Sequence, residues 1–280
     1  MSTRPDLVAT CWTSAGDVRP LDEPEVSPFS ASERVRAVAA AGFTGIGFAH
    51  DDLAVVRDGT GFAELASEVR AFGLTHVEVE LATGWWLAEE GWRPRWDLLT
   101  AAADALGAAV VKVGTAFGPP AGDVGPLVGP LRRLAREAAD HGFRIALEPL
   151  PFAAVASLPQ GAALVAAVDH PACGLTVDVW HVVRGGTSLA ELAACLTPAN
   201  VVCVELDDAD PEVVGTLFED TRDRRRYPGE GSFDLRGFVE VVRGTGFTGP
   251  WGVEVLSAEH RSLPLDVGLA RARDSALTVL

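Results

Sequence analysis

The chain is nearly without lysine. Lys112 is the only one, and the sequence carries 23 basic residues against 39 acidic ones, a formal charge of −16 over 280 residues. A field of that sign repels nucleic acid and argues against a general DNA- or RNA-binding role. Together with the abundance of alanine and arginine, the scarcity of lysine reads as the codon bias of a GC-rich genome, so a lone lysine is not by itself a functional signal. Cysteine is scarce too: Cys11, Cys173, Cys195 and Cys203 show no CxxC spacing. In a chain of this size they read as reduced thiols of a cytoplasmic protein rather than as a disulfide framework. No uncharged apolar run reaches the roughly 18 residues of a membrane span. The opening "MSTRPDLVAT" lacks the apolar stretch of a secretory leader. No glycine-rich phosphate fingerprint follows the first strand-like run, which counts against a dinucleotide-binding sheet. No Pro/Gly/Ser-rich linker divides the chain, so a single domain over residues 1–280 is expected.

What is present is alternation. Short β-rich runs near residues 8–13, 44–48, 76–80, 110–114, 144–148, 175–178, 201–206 and 252–255 are separated by stretches of helical period. Helices are expected near 32–41, 61–72, 96–106, 126–141, 160–168, 189–196, 234–244 and 264–280, with Ser32 as a candidate cap of the first. Glycine-then-apolar steps such as Gly42-Phe43 and Gly142-Phe143 supply left-handed helix ends. Eight such units in one chain of this length point to a (β/α)₈ barrel, with a doubly wound open sheet as the runner-up. The stretch "TGWWLAEEGWRPRW" (83–96) holds four of the seven tryptophans and reads as a loop covering the barrel mouth.

Four segments place an acid at the end of an apolar run: Glu148 in "RIALEPL", Asp178 in "GLTVDVWH", Glu205 in "VVCVELDDAD" and Glu254 in "WGVEVLS". Two residues before each acid lies a small side chain: Ala146, Thr176, Cys203 or Gly252. The alternate positions Leu147, Val177, Val204 and Val253 are apolar. With a strand period of two, the fifth to eighth strands would each aim one carboxylate into the C-terminal mouth, where the active sites of such barrels sit. Four carboxylates in one cavity repel each other. A hard divalent cation with oxygen ligands is the simplest compensation: Mn²⁺ or Mg²⁺, with Co²⁺ as a further option. Asp207 shares the face of Glu205 and is an alternative seventh-strand ligand. His181, three residues after Asp178, could reach a substrate oxygen. The run "RRRYPGEGSFD" (224–234) reads as an anion or hydroxyl clamp, because three adjacent arginines need something anionic nearby. Lys112 is expected to face Glu78 or Glu80 as an interior ion pair.

The segments "LEP", "DVWH", "RYPGEGSFDL" and "GFTGPWGVEVLS" together resemble the sugar phosphate isomerase/epimerase family of xylose isomerase-like TIM barrels, within the superfamily that also holds the metal-dependent abasic-site endonucleases. The resemblance spans most of the chain. It implies a divalent metal held by Glu148, Asp178, Glu205 and Glu254, and substrate oxygens touched by His181 and Arg225. Many members carry histidine where this chain has Glu205, and the glutamate makes the donor set all oxygen. The reaction the resemblance implies is isomerisation or epimerisation of a keto-sugar or keto-polyol through a metal-stabilised enediolate. Glu148 and Glu254 would act as the acid/base pair. The same enediolate can expel a β-hydroxyl, so a lyase or dehydratase is the close alternative. A non-catalytic binding barrel is another, and the charge and the six histidines speak against an endonuclease. Trp12, Trp85, Trp86 or Trp180 could stack on the substrate. The expected partner is a small carbohydrate or polyol, with neither nucleic acid nor membrane, and a homo-oligomer is compatible with the family.

Overall fold

Eight parallel strands are formed by the β-branched and apolar runs: β1 (Leu7–Ala9), β2 (Gly45–Ala49), β3 (His76–Ala82), β4 (Val110–Val113), β5 (Arg144–Leu147), β6 (Cys173–Asp178), β7 (Val201–Leu206) and β8 (Trp251–Val253). They pair in sequence order, and β8 closes on β1. The expected (β/α)₈ barrel is therefore the fold, and the open sheet is not. This computed structural model describes residues 5–280. The first four residues of the opening segment, read above as lacking an apolar leader, lie outside the described residues.

The strand alternation works as the spacing predicts. Leu147, Val177, Val204 and Val253 are fully or almost fully buried in the main apolar core between barrel and helices. Ala146 and Cys203 face the other way and pack with Val110 inside the barrel. Parallel registry aligns Asp178 with Glu205, and Glu205 with Gly252. Side chains at one level of neighbouring strands therefore reach the same layer of the interior. Gly252 has to be small: a Cβ there would lie 2.9 Å from both Glu205 Cγ and the carbonyl oxygen of Val204.

Most expected helices are present, with ends shifted by one or two residues. The helix Ala31–Ala41 is capped by Ser30 rather than Ser32, and Ser30 and Glu33 form a reciprocal capping box. It ends on Gly42 at φ 89°, the left-handed geometry expected of that glycine. Short helices inserted directly after strand ends, among them His50–Asp58 and Val179–Arg184, were not evident from periodicity, because one or two turns show too little of it. The tryptophan-rich stretch is a correction. Only residues 83–88 are non-helical, and of the stretch Thr83 and Arg95 line the barrel mouth. A helix starts at Glu89 and runs to Leu106 with Pro94 inside it. Trp85, Trp92 and Trp96 are buried, and Trp85 donates its indole N–H to the Gly114 carbonyl at 2.8 Å. No described helix is long and apolar enough to cross a membrane. The four cysteines are unpaired.

Candidate functional site

The C-terminal mouth of the barrel holds a cavity of about 170 Å³. Glu148 and Glu254, each one residue past its strand, line this cavity together with Glu80, His181 and Arg225. Glu148, Asp178, Glu205 and Glu254 are all buried and each offers a carboxylate oxygen, these oxygens lying within 4.8 Å of one another. The structure thus brings all four sequence-predicted acids together. Asp207 stays outside that group and pairs with Arg225 instead. His181 has its Nε2 3.4 Å from Glu148 Oε1 and 3.8 Å from Asp178 Oδ2.

Asp178 explains why a strand of this kind ends on a charge. Its Oδ1 accepts from the backbone N–H of His181 at 3.0 Å, capping the short helix that follows. Its Oδ2 accepts from Arg225 Nη1 at 2.6 Å. The Arg225 guanidinium also lies 3.2 Å from Glu254 Oε2 and donates to Thr221 Oγ1. The arginine run separates by function: Arg225 turns inward, and Arg226 pairs with Asp210 at the surface. Trp180 is fully buried under Arg225, whose Cζ is 5.4 Å from the ring centroid, and its indole N–H reaches Asp220. Trp180 and Trp85 are therefore packing groups, Trp86 does not line the cavity, and Trp12 does.

Asp208 is a residue whose part the sequence did not reveal. Its carboxylate accepts from the backbone N–H groups of Ala209, Gly229, Gly231 and Phe233 at 2.9, 3.2, 2.9 and 3.0 Å. The "PGEGSF" turn is wrapped around this one acid. A Cβ on Gly231 would sit 2.2 Å from Asp208 Oδ1. Backbone bonds between Asp208 and Arg226 then fix Arg225 beside the site. Also unforeseen are Phe117, Phe152 and Phe218, which form one wall of the cavity with ring centroids 5.6–6.1 Å apart. Phe117 and Phe152 lie a few residues past the ends of β4 and β5, and that placement was their only signal.

Seven buried carboxylates (Glu78, Glu80, Glu148, Asp178, Glu205, Asp207 and Glu254) surround two buried cations, Lys112 and Arg225. Lys112 is fully enclosed and does meet Glu80 and Glu78, at 3.3 and 3.5 Å. Its tightest contact is with Glu205, across the barrel interior from β4. These partners outweigh burial and hold the ammonium charged. Burial raises Glu205 well above the usual carboxylate range, and neighbouring Glu254 adds to it. Burial pushes Glu254 up to about 8, against the opposing pull of Arg225 and Lys112. Burial also works against the charged form of Asp178, but Arg225 and His181 win and its pKa is lowered.

Glu205 Oε2 is buried with no hydrogen-bond donor. A buried oxygen left without a partner, in an all-oxygen set, fits a hard divalent cation. A cation held by Glu205 and Glu254 would displace the protons that burial favours on both. A metal titration from pH 6 to 8 should therefore show affinity rising with pH, by about tenfold per pH unit for each proton released. The metal-free protein should show the opposite sign. Glu254 binds a proton more tightly folded than unfolded, so stability falls as pH rises from about 4.5 to about 8.

The family described as the xylose isomerase-like TIM barrel matches residues 35–275. The chain belongs to that family. Within it, 146 residues are 32% identical to a 3-dehydroshikimate dehydratase of Pseudomonas putida, covering 51% of this chain and 22% of the dehydratase. A stretch of 152 residues is 25% identical to an inosose isomerase of Bacillus subtilis, covering 54% of this chain and 53% of the isomerase. The chain thus matches about a fifth to a half of the length of these curated relatives. Among solved structures, the zinc-bound IolI protein superimposes with a TM-score of 0.82 at 17% identity over 98% of this chain and 97% of that one. The D-allulose 3-epimerase of Methylomonas sp. in complex with D-allulose gives 0.71 at 18% identity over 99% and 98%. At these identities the two structures speak for the fold alone.

Proposed function

We propose that this family member is a divalent-metal-dependent isomerase or epimerase of a keto-sugar or keto-polyol, with Glu148, Asp178, Glu205 and Glu254 as the metal ligands. The observation that carries the reading is the convergence of those four buried carboxylates at one end of the barrel, with ligand oxygens within 4.8 Å of one another. An all-oxygen donor set favours Mn²⁺ or Mg²⁺, with Co²⁺ also accommodated. When bound, such a cation supplies a Lewis acid that polarises a carbonyl and its neighbouring hydroxyl.

The remaining work falls to the chain. Glu148 and Glu254 line the cavity from different strands, so each can exchange a proton with a carbon held between them, one as base and the other as acid. His181 beside Glu148 can donate to a substrate oxygen. Arg225 brings positive charge to the floor where negative charge grows on those oxygens. Trp12 and the phenylalanine wall give the same cavity an apolar lining that helps exclude water.

The similarity to a 3-dehydroshikimate dehydratase favours one second reading, a lyase. The first proton removal is the same, and a β-hydroxyl then leaves as water. One experiment tests both. Protein purified without added salts is analysed for metal, loaded with Mn²⁺, and incubated in D₂O with keto-sugars, inosose and 3-dehydroshikimate. About one metal per chain and deuterium entering a substrate carbon are expected. A product of unchanged composition indicates the isomerase, and loss of water the lyase. Failure to take up Mn²⁺ or Mg²⁺, with no deuterium incorporated, overturns both and leaves a binding barrel.

A further inference from the structure

Two arginines line the cavity, and they are in opposite situations. Arg225 is saturated: Asp178, Asp207 and Glu254 hold its charge, and Thr221 takes further donors. Arg95, half-buried near the start of the helix Glu89–Leu106, makes no ion pair among the described residues. Its one side-chain bond is a long contact of 3.4 Å to Thr83 Oγ1. A guanidinium is a fork of five donors matched to a planar carboxylate, and most of this fork is unused. The nearby acid Glu25 is no substitute. It lines the same cavity but makes no ion pair, and its Oε1 accepts from the backbone N–H of Leu21 at 2.5 Å. His50 beside Arg95 is kept neutral by burial and by that arginine, which leaves Arg95 as the full cation of its wall.

We infer that Arg95 is the anchor of an anionic group on the substrate, and that the substrate is a hydroxylated ketone bearing a carboxylate at the end remote from its reacting carbonyl. The inference rests on the metal-dependent reading of the carboxylate cluster and adds the substrate's charge and orientation to it. The floor of the cavity is acidic, with Glu80, Glu148 and Glu254 in its lining, and repels an anion. The carboxylate therefore lies at the Arg95 end and the polarisable carbonyl at the floor. Phe117, Phe152 and Phe218 give the same cavity an apolar side that suits the C–H face of a ring. A single arginine with no lysine beside it matches one negative charge better than the two of a phosphate monoester.

The test uses the Mn²⁺-loaded full chain and three probes. These are 3-dehydroshikimate (a ring ketone with a carboxylate), inosose (a neutral ring ketone) and inorganic phosphate. Binding is read by calorimetry and by intrinsic tryptophan fluorescence, independently of turnover. Wild type should bind the carboxylate probe at least about tenfold more tightly than inosose. Arg95→Gln should weaken the carboxylate probe by about 10–100-fold, and by at least tenfold more than it weakens inosose. Arg95→Lys should fall between, because an ammonium keeps the charge and loses the fork. Equal losses for both ketones, tighter binding of inosose, or binding of none of the probes would overturn the assignment. Phosphate bound through Arg95 in place of the carboxylate probe would also overturn it, in favour of a phosphorylated substrate. If the Arg95 dependence of binding appears while no probe is turned over or deuterated, the subsite stands and the catalytic reading fails.

Discussion

Replacing Glu254 by glutamine is expected to lower the rate of product formation by at least about 10³-fold. The amide cannot take or give the proton at neutral pH, and a positioned acid or base contributes roughly 10²–10⁴-fold on its own. The substitution also removes one of the four carboxylates whose oxygens converge at the site, so metal affinity should drop as well. Glu148→Gln should do the same. The two variants differ in a way that tests the two-sided exchange. If each glutamate serves one face of the carbon, then with one epimer as substrate one variant should still incorporate solvent deuterium while failing to form product. The other should do neither. Far-ultraviolet circular dichroism should be unchanged in both, because neither side chain caps a helix. Retention of more than about a tenth of wild-type exchange in both variants would remove these residues from the acid/base role.

The largest effect on stability is expected at Lys112. Its ammonium is fully buried and touches Glu205, Glu80 and Glu78. Removing one partner of a buried ionic network leaves uncompensated charge and costs about 3–5 kcal/mol. Lys112→Met should show this loss in urea unfolding at pH 7.5. It should recover part of the loss at low pH, where the carboxylates take up protons, and part on addition of Mn²⁺. Lys112→Met combined with Glu205→Met should be more stable than Lys112→Met alone, because the second change removes an orphaned acid. A single-variant loss below about 1 kcal/mol would show that Lys112 is not the compensating charge of the interior.

Lys112 also shows where sequence reading stops. Its position on β4 and the inward acids of β3 were legible from period-two alternation, and both expected contacts exist. Glu205, its tightest partner, lies on β7, and alternation along a strand carries no information about which layers meet across a closed barrel. The four converging acids were legible for the opposite reason: each needs only its own strand and the shared rule that strand ends face the mouth. Short helices after strands and the phenylalanine wall were not, because nothing in a single residue's spacing distinguishes a wall of a cavity from an ordinary loop. The tryptophan-rich segment misled through composition. Aromatic residues near a strand end suggested a cover, whereas Trp92 and Trp96 recur at a helical spacing of four and pack inward.

The cradle of Asp208 bears on how proteins of this kind are recognised. "PGEGSF" is a conspicuous string, and its letters are dictated by three N–H groups and one carboxylate that need a turn without a Cβ at Gly231. A descendant that lost Glu148 and Glu254, and with them any chemistry, would have every reason to keep it. The string reports architecture, and the proposed activity resides in the acids at the barrel mouth. A survey that sorts barrels by the second criterion would separate working enzymes from inherited shells that the first cannot tell apart.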